Sequence, residues 1–147
     1  MPRSTPPARP AASRRAGYLI AIIVNGTLLF LINASPGWQT VPFLTPSTTQ
    51  VLGLVNLALA VSAAVNMIYL LHDTPRLRAL GDLVTAAIGL TVAIRLWQVF
   101  PFAFHGSAAA WSVVVRVLLM IGIVGSCISV LYNLVTVGRR RATPQSR

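Results

Sequence analysis

The sequence predicts an all-α integral membrane protein, four transmembrane helices in a compact bundle, and three observations lead there. Apolar residues supply 55% of the chain and charged residues 10%, whereas a soluble domain is about one quarter charged. Between Gly17 and His72 there is no Asp, Glu, Lys or Arg, a stretch long enough to cross a bilayer twice. The 12 basic residues, all arginine, stand against 2 acidic ones. Most flank the apolar segments rather than forming a solvated groove, which points to membrane phospholipids as their counterpart and away from nucleic acid.

The elements follow in order. Residues 1–16 carry Pro2, Pro6, Pro7 and Pro10 among Arg3, Arg9, Arg14 and Arg15. Proline interrupts helices and little here is worth burying, so a disordered basic cytoplasmic tail is expected. The transmembrane domain covers 17–138, with spans expected at 17–37, 49–71, 80–100 and 110–137. Each has the twenty or so residues that about 30 Å of hydrocarbon requires, and the fourth is long enough to tilt or protrude. Residues 139–147 form a second basic cytoplasmic tail. The competing reading of the first span is a signal peptide cut after Ala34. Asn25 and Gly26 interrupt its apolar core, and Ile32 is poorly suited to its place upstream of the cut.

Orientation comes from the loops. Arginines precede the first span, Arg76 and Arg78 lie between the second and third, and Arg139, Arg140, Arg141 and Arg147 follow the fourth. The links Ala34–Thr48 and Pro101–Ala109 carry no formal charge. Arginine-rich short loops stay inside, so a multi-pass cell-membrane protein with both termini cytoplasmic is expected. Trp38, Trp97 and Trp111 would then mark the outer interface and Tyr18, Tyr69 and Tyr132 the inner one.

An internal repeat is visible. Trp38-Gln39-Thr40-Val41-Pro42-Phe43 returns as Trp97-Gln98-Val99-Phe100-Pro101-Phe102, with four of six positions identical. Two parallel helical-hairpin repeats would produce this pattern, although interfacial chemistry alone also favours Trp, Pro and Phe at such places. Pro101 lacks an N–H and disfavours helix at Phe100, so the third span should finish there.

Polar residues within the spans supply the candidate sites. Arg95 and Arg116 fall at similar outer depth, where an arginine is costly and cannot neutralise. Three readings compete: both reach outer-leaflet phosphates, both converge with Gln98 on an anion, or a partner protein supplies a carboxylate. Asp73 and Asp82 are placed near the cytoplasmic face, away from both arginines. If the first hairpin is antiparallel, Asn33 meets Asn56 and Asn25 meets Asn66, as packing contacts between helices. Small residues recur at helical spacing in Ala58, Ser62 and Asn66, in Thr85, Gly89 and Ala93, and in Gly122, Ser126 and Ser129. Such faces let backbones approach closely. Arg139, Arg140 and Arg141 are candidates for contact with anionic lipid.

The remaining residues argue against an enzyme. His72 and His105 lie at opposite ends, and Cys127 is the single cysteine, so no metal or haem site assembles and no cofactor is expected. No phosphate loop or nucleophile–base pair is present. The expectation is a non-enzymatic accessory, scaffolding or regulatory component of a membrane assembly, with an integral membrane partner or a second copy bound. The alternative is a transporter or channel for an anion or amphiphile.

Overall fold

The computed structural model describes residues 11–104 and 110–141. Arg3, Arg9, His105 and Arg147 lie outside the described residues, as do the side chains of Arg139, Arg140 and Arg141, on which the lipid contact is expected. The protein is an all-α bundle of four long apolar helices: α1 (Ala11–Asn33), α2 (Thr49–Leu71), α3 (Pro75–Val99) and α4 (Ala110–Arg141). All four are long and apolar enough to cross a membrane, and the chain is a multi-pass membrane protein.

Packing follows chain order. The substantial helix contacts among the described residues join α1 to α2, α2 to α3 and α3 to α4. Much of α4 consequently stays open, with Val113, Leu118, Ile121, Ile128 and Leu131 all exposed. Lipid is as apolar as leucine, so exposure of these side chains costs nothing in a bilayer. Val51, Tyr69 and Pro101 are buried apolar residues, and Tyr69 belongs to the cluster described below.

Local chemistry explains where the helices stop. After Asn33, the Ala34 N–H donates to Phe30 O at 2.8 Å and the Gly37 N–H to Leu31 O at 3.0 Å. Gly37 has φ 82°, a conformation that glycine adopts without strain. At the start of α3, Thr74 is an extended N-cap whose hydroxyl accepts from the Leu77 N–H at 3.4 Å, and Pro75 follows. Proline suits the first helical position because its missing N–H has no intrahelical partner there. The helix therefore begins five residues before the expected span, on a Thr-Pro signal that hydropathy alone passes over. α1 likewise begins at Ala11, ahead of the apolar core at Gly17. α3 ends where Pro101 blocks it, with Phe100 in the left-handed region at φ 40° and its N–H donating to Leu96 O.

The two Trp-Gln-x-x-Pro-Phe segments meet at the tryptophan end of the bundle. Thr45 N–H donates to Pro101 O at 2.9 Å and Ala103 N–H to Phe43 O at 2.8 Å, forming an antiparallel bridge between Leu44 and Phe102. Their local conformations differ, because Trp38–Thr40 is a 3-10 turn whereas Trp97–Val99 completes α3. Stacked rings reinforce the bridge: Phe43 on Phe104 at 5.6 Å, Phe104 on Phe102 at 6.3 Å, and Phe102 against the edge of Phe100 at 5.5 Å.

Candidate functional site

Three polar regions emerge from the packing, one at the arginine end, one between α3 and α4, and one at the tryptophan end. At the arginine end, Asp73 in the link between α2 and α3 ties three elements together. Arg14 of α1 donates from Nε to Asp73 Oδ2 at 3.1 Å, and the Tyr18 hydroxyl donates to Oδ1 at 3.3 Å. Arg78 Nε lies 3.0 Å from Oδ1 but has no aligned hydrogen-bond acceptor. That contact is coulombic, and its distance rather than its direction holds the pair together. One carboxylate thus offsets two guanidinium groups.

Tyr69 extends this clasp into the bundle. Its ring meets the Tyr18 ring edge-on at 5.4 Å. Its hydroxyl lies 2.9 Å from Arg78 O and 3.0 Å from Asp82 Oδ1, so a single proton is shared between two acceptors. Gly81 makes the approach feasible, since a Cβ there would run into the Tyr69 hydroxyl and Val65 Cγ1.

Asp82 also faces outward. It lines a groove of about 500 Å³ with Thr85 and Ala86 of α3 and Gly122, Gly125, Ser126 and Ser129 of α4. A Cβ at Gly122 or Gly125 would meet nothing within 4 Å. The hydroxyls on the walls bond back into their own helices: Thr85 Oγ1 donates to Gly81 O at 2.8 Å, and Ser129 accepts from Asn133 Nδ2. Ser126 and the Asp82 carboxylate add further polar groups to the lining. Asp82 has no ion pair among the described residues, in contrast to Asp73. Sequence reasoning picks out Thr85, Gly122, Ser126 and Ser129 from their spacing but gives Asp82 no role. Its signal was a carboxylate inside the span expected at 80–100.

At the tryptophan end, Arg95 and Arg116 have different neighbours. Arg95 Nη1 donates to Gln98 Oε1 at 3.4 Å. Arg116 lies over rings instead, with Cζ 4.1 Å from the Phe100 centroid and 5.5 Å from that of Trp97. Two residues of α-helix turn the chain through roughly 200°, so Trp97 and Arg95 project from opposite sides of α3. Neither arginine lines the groove.

The asparagines divide similarly. Asn33 and Asn56 exchange two amide hydrogen bonds, at 3.0 and 2.7 Å, between α1 and α2. Asn25 and Asn66 do not bond to each other. They donate to Ala21 O and Ser62 O, one turn back in their own helices, as Asn33 also does to Leu29 O beside its contact with Asn56. Cys127 is exposed and free, and no group of three His, Cys, Asp or Glu suited to a metal occurs among the described residues. Comparison with protein-family models, with curated proteins and with solved structures finds no match for this chain.

Proposed function

We propose that this protein is a non-enzymatic accessory component of a membrane assembly, and that it binds a transmembrane helix of another protein in the groove between α3 and α4. The observation that carries this reading is the open groove itself, whose α4 wall is Gly122, Gly125, Ser126 and Ser129. Association of helices in lipid depends on close backbone approach and van der Waals contact, which such a surface permits. Among the described residues nothing lies within 4 Å of where a Cβ would stand on either glycine.

Asp82 defines the chemistry of the occupant. A helix laid across a carboxylate removes its water, at a cost of several kcal/mol unless a countercharge arrives with it. The bound helix therefore carries a lysine or arginine at the depth of Asp82. Arg14 and Arg78 of this chain are already engaged with Asp73. Anion passage has less support, since Arg95 and Arg116 lie apart and away from the groove.

Purification in mild detergent, with intact-complex mass measurement, tests the proposal. A stoichiometric membrane partner should be retained by the native chain and lost from Gly125→Leu and Asp82→Asn, both of which should remain folded and monodisperse. Retention of the partner by both variants, or a native chain that purifies alone, overturns the proposal. A homodimer abolished by the same substitutions would replace the foreign partner with a second copy.

A further inference from the structure

We infer that Arg116, Phe100 and Trp97 form a binding site for a phosphate group at the tryptophan end, one that takes the headgroup of a membrane phospholipid or the free anion. This site shares no lining residue with the α3–α4 groove and does not depend on what docks there.

The argument starts from the cost of the arginine. A guanidinium does not neutralise at any depth, and Arg116 lies six residues into α4, about 9 Å along the helix from Ala110. Among the described residues no carboxylate pairs with it. Instead its Cζ sits 4.1 Å over the Phe100 ring, with Trp97 at 5.5 Å. Phe100 is the first residue beyond α3, so the charge is drawn toward the end of the apolar span, where lipid phosphates begin.

The platform beneath it is anchored. Phe100 takes a left-handed conformation at φ 40°, which a non-glycine residue adopts only when its surroundings hold it there. Pro101 behind it is fully buried and accepts a hydrogen bond from Thr45. Phe102, Phe104 and Phe43 continue the row of rings. A guanidinium held against rings through its cation–π attraction still carries its forked N–H donors, which match the oxygens of a phosphate two at a time.

Titration of the intact protein in mild detergent with dioleoyl phosphatidylglycerol, followed by native mass spectrometry, reads the site. The native chain should hold one lipid that Arg116→Gln holds at least about tenfold more weakly, as expected for loss of a bidentate charged contact. Arg116→Lys retains charge without the planar fork and should fall between them, and Phe100→Leu should weaken binding by removing the ring. Arg95→Gln should change nothing, because Arg95 bonds to Gln98 on another side of the helix. Equal affinity in the native chain and Arg116→Gln overturns the site, and equal losses from Arg95→Gln and Arg116→Gln overturn the aromatic platform in favour of diffuse charge. Displacement of the bound lipid by excess inorganic phosphate assigns the site to the free anion. Retention in its presence assigns it to the lipid headgroup.

Discussion

Two glycines with opposite surroundings show what single residues do here. A methyl group at position 81 would collide with Tyr69 and Val65, so Gly81→Ala should force the hydroxyl off Asp82 and cost about 1–3 kcal/mol, as overpacking does. Thermal unfolding in detergent should show a lowered midpoint. Gly122→Ala meets open space and should be neutral or raise the midpoint slightly, since alanine favours helix by up to about 1 kcal/mol over glycine. Sequence spacing puts Gly122 in a small-residue stripe with Ser126 and Ser129, but the crowding at Gly81 lies in what stands opposite and is not legible there. Asp73→Asn should cost about 1 kcal/mol or less per lost ion pair, because Arg14 and Arg78 keep roughly a third of their side-chain surface exposed. The same unfolding measurement in high salt should shrink the difference between Asp73→Asn and the native chain, since salt screens such pairs.

Among the elements, the α1–α2 hairpin is held in register by the reciprocal amide pair of Asn33 and Asn56. Asn56→Leu should cost about 0.6 kcal/mol, and at most about 1.7, the range for such contacts between membrane helices. Reversible unfolding in mixed micelles of mild detergent and dodecyl sulfate measures it. Asn66→Leu should cost less, because Asn66 bonds only within α2. Counting residues along two antiparallel helices suffices to bring Asn33 opposite Asn56. The same arithmetic pairs Asn25 with Asn66, yet those two amides bond within their own helices and not to each other. Helix limits were legible wherever a backbone constraint is written into the residue type. Pro101 stops α3, and Thr74 with Pro75 starts it, while a hydropathy window sees only where the apolar stretch begins.

For the molecule as a whole, the segregation of arginines predicts the direction of insertion. With Cys127→Ser as background, a cysteine replacing Arg15 should react with a membrane-impermeant maleimide only after cells are opened, and one replacing Gln39 should react in intact cells. The reverse pattern would invert the protein. Four long apolar helices and the separation of charged from uncharged links were readable without coordinates, because the bilayer imposes length and composition on every span, whatever its neighbours. Tertiary structure alone decided that Asp73 gathers Arg14, Arg78 and Tyr18, that Asp82 opens onto a groove, and that Arg116 rests on Phe100 rather than beside Arg95. Those outcomes depend on how far each helix is turned about its own axis and on how two loops pair. In lipid, where every face of such helices is already apolar, hydrophobic patterning does not set that rotation; it follows from a few close contacts such as Gly81 against Tyr69.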